Sequence, residues 1–196
     1  MITRMDGDVG RLMQLLTELS IEDNTLVLFT SDNGPHREGN HDHEYFDSNG
    51  PLKGFKRSMH EGGIRVPLIA RWPGKVPAGT TSDLPSAFWD FLPTACELAG
   101  VQPPDSIDGI SYAATLLAKP DQQARHEYLY WASQEGATMI GVRQDHWKLV
   151  RYRKDKNERP DWRLYDLRTD IGEQHDLADE HPEVVRRIIG LLERDA

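Results

Sequence analysis

Apolar positions fall into two rhythms along this chain. Between residues 5 and 20, Val9, Leu12, Met13, Leu15, Leu16 and Leu19 recur at helical spacing and predict an amphipathic helix with one apolar face. The run "NTLVLFTSD" follows Asp23-Asn24 as a short continuous apolar stretch, the pattern of a strand buried on both faces. A polar tract from about Ser31 to Gly63 then carries no period at all, although Tyr45, Phe46 and Phe55 argue for some anchoring. "IRVPLIARWPG" predicts a second strand stopped by Trp72-Pro73-Gly74. "SAFWDFLPTACELAG" predicts a helix with Pro93 in a first turn or at a kink and Gly100 as its stop.

Near 119–126 the rhythm changes. "EYLYWAS", "ATMIGVRQ", "HWKLVRYR" and "WRLYDL" are short segments rich in aromatic and β-branched residues, separated by polar turns, and they predict an antiparallel meander. "HPEVVRRIIGLLERDA" predicts a closing amphipathic helix with Pro182 in its first turn. Helix followed by apolar strand indicates an α/β layer. The expected division is therefore an α/β part over 1–122 and a small sheet-plus-helix part over 123–196.

Composition narrows the function. The 196 residues include 38% hydrophobic and 28% charged residues, a globular balance. A formal net charge of -9 disfavours nonspecific nucleic acid and anionic membrane as partners. One cysteine, Cys96, excludes an internal disulfide. No apolar run is long enough to span a bilayer, and the first residues read into a helix rather than a signal peptide.

The polar tract holds the candidate chemistry. Asp32 and Asn33 stand where the first strand should end, and ligands of open α/β sheets collect beyond strand carboxyl ends. A carboxylate beside an amide oxygen suits Ca²⁺ or Mg²⁺, while "DNG" is equally a turn sequence. Lys53, in "GPLKGFKR", is a flexible cation flanked by glycine and suited to an oxyanion. In "HEGGIRVP" Arg65 alternates with Ile64 and Val66, and an ion pair with Glu61 is its preferred role. His36, His41 and His43 form H-x4-H-x-H, which is not a standard zinc spacing. His36 instead offers a proton donor or a substrate contact.

In this order, "NTLVLFTSDNG" at 24–34, "SNGPLKGFKRSMHEGGIRVPLIARWPG" at 48–74, the helix text at 90–100, and "WKLVRYR" with "RLYDLRTDIGEQHDLA" resemble the sulfatase family of the alkaline phosphatase superfamily. The resemblance covers nearly the whole chain. It implies the C-terminal part of an alkaline-phosphatase-like α/β sandwich plus a small antiparallel sheet with a C-terminal helix. It also implies a sulfuric ester hydrolase of arylsulfatase type, with one divalent cation, Ca²⁺, on Asp32 and Asn33. Lys53, twenty residues after Asn33, is implied as the catalytic lysine that contacts sulfate, and His36 as a substrate-side residue. The implied mechanism is attack on sulfur by a hydrated formylglycine. The implied partner is a sulfated small molecule or carbohydrate, with residues 36–46 shaping specificity. The family's compartment is periplasmic or secreted, with the signal peptide in an upstream part.

Formylglycine arises from Cys or Ser in C/S-x-P-x-R. Cys96 is followed by Glu97-Leu98-Ala99, and no serine here precedes x-Pro-x-Arg. The family's upstream Asp-Asp metal pair and mid-chain basic cluster are also missing from the sequence. The expectation is a C-terminal part that is inactive alone, binds Ca²⁺ weakly at best, and exposes sheet edges through which it could oligomerise. The alternatives are a non-catalytic binding or dimerisation module and a related phosphoryl or phosphonate ester hydrolase.

Overall fold

The computed structural model describes residues 2–133, 138–153 and 161–195. Its contacts gather into two compact units: residues 1–30 with 67–125, and residues 31–66 with 126–196. The polar tract therefore groups with the C-terminal sheet, a partition that crosses the linear division at 122.

In the first unit, α1 spans Ile2–Glu18, β1 spans Val27–Thr30 and β2 spans Leu68–Arg71. The two strands pair antiparallel, with Val27 opposite Arg71 and Thr30 opposite Leu68. The first strand was expected to be buried on both faces, but all four of its residues are only half-buried. Among the described residues this sheet has two strands. Leu68 and Ile69 of β2 are exposed. The helix α1 forms where its period predicts, yet none of its described residues is buried.

Helix α3, Phe91–Ala99, ends on Gly100 at φ 70°, the left-handed stop that glycine takes without steric cost. Pro93 sits in its first turn, where its missing N–H removes no helical hydrogen bond. Beside Ala113 and Tyr112, the buried groups of this unit include two polar side chains, Asp90 and Thr94. Both Asp90 carboxylate oxygens accept backbone N–H groups, from Ala87 at 2.8 Å and Ile110 at 2.9 Å. Thr94 Oγ1 donates to the Asp90 carbonyl and accepts the Tyr112 N–H at 2.9 Å. That staple ties α3 to the short helix α4, Ala113–Leu116.

The second unit holds the predicted meander. Strands β3 (Leu129–Ser133), β4 (Thr138–Gln144), β5 (Trp147–Arg153) and β6 (Asp161–Asp166) pair antiparallel in that order. Ala137, in the segment expected to become β4, lies outside the described residues. Alternation gives this sheet two faces with separate contents. Ile140, Val142, Leu149 and Leu164 pack on Val184 and Ile188 of the closing helix α5, Pro182–Arg194. Met139, Val150 and Tyr165 pack with Met59, Ile64, Trp131 and Tyr152, so the second face carries the polar tract. The tract itself ends in a one-turn helix, α2, Glu61–Ile64. Arg65 follows that turn and does not sit in a strand, so the alternation expected for it does not apply. Its guanidinium lies 3.7 Å from Glu61, the expected partner, one helical turn away.

Candidate functional site

Three glycine-bearing segments of the tract interlock. The Gly34 N–H donates to the Gly63 carbonyl at 3.0 Å, and the Gly62 N–H donates to the Lys53 carbonyl at 2.7 Å. The Lys56 N–H reaches the Pro35 carbonyl at 2.8 Å. A Cβ at Gly34 would fall on the Gly62 carbonyl, and one at Gly62 on the Gly54 carbonyl, so backbone lies against backbone. "DNG", "LKG" and "EGG" are thus one structure, and Asp32-Asn33 and Lys53 are carried on the same braid.

Asp32 is exposed and Asn33 half-buried. The Asn33 amide nitrogen donates to the Gly34 carbonyl at 2.8 Å, so its oxygen remains available as an acceptor. Adjacent carboxylate and amide oxygens are hard donors that fit part of a Ca²⁺ shell, which takes six to eight oxygens. Among the described residues no group of three or more His, Cys, Asp or Glu could hold a metal. Two oxygen donors alone fall short of such a shell.

Lys53 is tethered. Its Nζ donates to the Glu173 carbonyl at 2.7 Å and lies 5.2 Å from the centre of the Tyr165 ring. An ammonium has three donors, so one bond to a neutral carbonyl leaves two donors and the full charge for an anion. Burial pushes the Tyr165 hydroxyl up to about 12, reinforced by the charge of Asp176.

Beneath the braid lies an ionic centre of which sequence reasoning found only the Arg65–Glu61 pair. Glu61 Oε1 accepts from Lys148 Nζ at 2.9 Å, with both side chains out of solvent. Arg143 stands 3.4 Å from Glu61 Oε2. Burial pushes the Glu61 carboxyl up, but Lys148, Arg143 and Arg65 outweigh it and hold the group below its ordinary 4.5. Glu173, also wholly buried, places Oε1 3.0 Å from His60 Nδ1 and accepts the Glu61 N–H on Oε2 at 2.7 Å. The one available signal was Lys148 itself: it shares strand parity with Val150 and Tyr152, and a lysine on an apolar face implies a buried partner.

The histidines take different hydrogen-bond partners, although the His36 and His41 rings lie 5.7 Å apart. His36 is exposed, and its Nδ1 accepts the Glu38 N–H at 3.0 Å. His41 Nε2 pairs with Ser48 Oγ at 3.2 Å, while the buried His43 packs its ring 5.0 Å from Phe55. These separate partners leave no zinc cluster among the described residues. Of the aromatics expected to anchor the tract, Phe55 does so under the Arg37 guanidinium at 4.4 Å. Tyr45 and Phe46 are 81% and 63% exposed, with Phe46 stacked on the His41 ring at 5.5 Å. An open cavity of about 400 Å³ is lined by Arg37 and residues 40–44. Trp131 and Trp147 are packing residues on opposite faces of the meander.

Comparison with known proteins covers the same ground. The family model for "N-sulphoglucosamine sulphohydrolase, C-terminal" matches residues 42–194. The chain is 32% identical over 98% of its length to an N-acetylgalactosamine-6-O-sulfatase of Bacteroides thetaiotaomicron, spanning 40% of that protein. It is 41% identical over 66% of its length to human steryl-sulfatase, spanning 23% of it. The solved structure of Ps i-CgsB in complex with k-i-k-neocarrahexaose superposes with a TM-score of 0.79 at 29% identity, over 99% of this chain and 41% of that one. That of BT4656 in complex with its substrate D-glucosamine-2-N,6-O-disulfate gives 0.76 at 26% identity, over 99% and 38%. The chain thus spans between 23% and 41% of the length of these relatives, and its fold is that of their C-terminal region.

Proposed function

The chain belongs to the sulfatase family of sulfuric ester hydrolases, and on that premise we propose that residues 31–66 form one wall of a sulfate-ester pocket. The observation that carries the reading is the braid, which brings Asp32-Asn33 and Lys53 into one rigid backbone unit. Asp32 and Asn33 supply oxygen donors to one side of a divalent cation, which we take to be Ca²⁺. When bound, that ion would stabilise negative charge on the sulfate oxygens. Lys53 directs its remaining N–H donors at a sulfate oxygen and stabilises charge as the ester S–O bond breaks. With Nδ1 accepting from the Glu38 N–H, His36 carries its proton on Nε2 and can donate to a substrate hydroxyl or the leaving oxygen.

The substrate class we favour is a sulfated sugar. Exposed Tyr45 and Phe46 beside the cavity offer flat apolar faces, and Arg37, His41 and Glu44 offer polar groups for hydroxyls. Two solved relatives hold a glucosamine disulfate and a carrageenan-type hexaose. The sequence has no C/S-x-P-x-R, so the nucleophile must come from elsewhere and this chain alone is inactive. Purified chain tests both parts of the reading. It should release no sulfate from a chromogenic aryl sulfate or from 6-sulfated N-acetylglucosamine. Calcium titration by calorimetry should give weak binding, lost in Asp32→Ala. Metal-dependent turnover by the chain, or Ca²⁺ binding indifferent to Asp32→Ala, would sink it.

A further inference from the structure

We propose that Glu173 is the positioning residue for Lys53, which rests on the reading of Lys53 as sulfate-facing. Glu173 is fully buried and has φ 51°, a left-handed conformation that non-glycine residues seldom adopt. Its atoms meet the tract at three points. The carbonyl accepts from Lys53 Nζ at 2.7 Å, Oε1 lies 3.0 Å from His60 Nδ1, and Oε2 accepts the Glu61 N–H at 2.7 Å. The Gly62 N–H then closes a ring by donating to the Lys53 carbonyl. The side chain thus fixes the backbone of Glu173 against α2, and that backbone in turn fixes the lysine, 120 residues away in sequence.

The choice of atom matters. A carboxylate on Lys53 would hold it in place and cancel its charge. Here the carboxylate goes to His60 and the Glu61 amide, and the lysine receives a neutral carbonyl. The ammonium is oriented but keeps its charge for an anion.

Lysine-selective acylation of the full chain, followed by peptide mass spectrometry, tests this. In Glu173→Ala, Lys53 should be acylated about tenfold faster relative to exposed Lys75 and Lys119, the loss expected for one hydrogen bond to a charged group. Glu173→Gln keeps an oxygen to accept the Glu61 N–H and sets its NH2 on His60 Nδ1, which accepts it in the other neutral tautomer, so Lys53 should stay within about twofold of wild type. Buried Lys148 should remain slow in both, which separates a selective effect on Lys53 from general loosening. A folded Glu173→Ala with wild-type Lys53 reactivity overturns the proposal, as does equal acceleration at Lys53 and Lys148. Should the alanine variant not fold, Glu173→Asp, one methylene short, takes its place with the same expectation. Inorganic sulfate in the acylation mixture separates the two readings. It should protect Lys53 in wild type and not in Glu173→Ala. Absence of protection in wild type, with the Glu173→Ala acceleration intact, counts against Lys53 as sulfate-facing and in favour of positioning by Glu173.

Discussion

The two units of this chain solve burial in opposite ways. Residues 31–66 and 126–196 share two apolar clusters, one on each face of the meander, and bury an ion pair besides. Residues 1–30 and 67–125 contribute only Tyr112 and Ala113 to the described buried hydrophobic residues. Many of their large apolar side chains are exposed and most others only half-buried: the exposed ones include Met5, Leu12 and Leu15 on α1, Leu19 just after it, Leu68 and Ile69 on β2, and Phe88, Phe91 and Leu92 by α3. Its buried polar contacts centre on Asp90, and Arg71 pairs with Glu22 nearer the surface. Amphipathic patterning in both halves predicted elements correctly, but only in one half does the chain itself supply what the apolar face needs.

The contrast can be broken most severely at its buried charges. Glu61→Ala leaves Lys148 charged and unpaired in the core, and should cost about 3–5 kcal/mol of unfolding free energy in the sheet-containing unit. Near-UV circular dichroism during urea unfolding would follow it. The double variant Glu61→Leu, Lys148→Met should recover most of that loss, because it removes both charges together; no recovery would mean the pair is not what the unit depends on. Next in size is Gly34→Ala, which sets a methyl against the Gly62 carbonyl and should cost about 1–3 kcal/mol while weakening Ca²⁺ binding. Differential scanning fluorimetry with and without calcium reads both.

Acid sharpens the same contrast. The Glu61 pKa is lower in the folded protein than its ordinary 4.5, so its contribution is present above that value and lost as pH falls through the depressed one. Urea midpoints measured from pH 6 to pH 3 should fall in the wild type, and less steeply in Glu61→Gln. The smallest effect belongs to the first unit. Leu12→Glu with Leu15→Glu on α1 should change stability by no more than about 0.5 kcal/mol. We expect it to reduce self-association through the helix face, as followed by light scattering. A large loss of stability there would show that α1 has a core after all.

Sequence reasoning reached what local rhythm encodes. The four short β-rich segments became the meander, Gly100 stopped α3, and Pro182 opened α5, because alternation, left-handed caps and first-turn prolines are properties of a few adjacent residues. It failed where the partner is remote. The Lys148–Glu61 contact joins residues 87 apart, and nothing near "HWKLV" names the acceptor. Glu173, in "DIGEQHD", looks like any solvated acid until the fold folds it under the tract. The glycines of "DNG", "LKG" and "EGG" drew notice one motif at a time, since interlocking is visible only once their backbones meet. Burial of the first strand was overread for a related reason: an apolar run states what a strand wants, and β2 is its sole pairing partner among the described residues.

The meander's two faces carry a reading-frame constraint. Lys148, Val150 and Tyr152 answer to the tract, while Trp147 and Leu149 answer to α5. Inserting or deleting one residue within β5 would exchange those duties, setting the Lys148 ammonium against Val184 and Ile188 and turning Leu149 toward Glu61. Length changes in this sheet are therefore tolerable at its turns, or in pairs within a strand, and a single-residue indel there should be as damaging to the pocket wall as a substitution made directly in it.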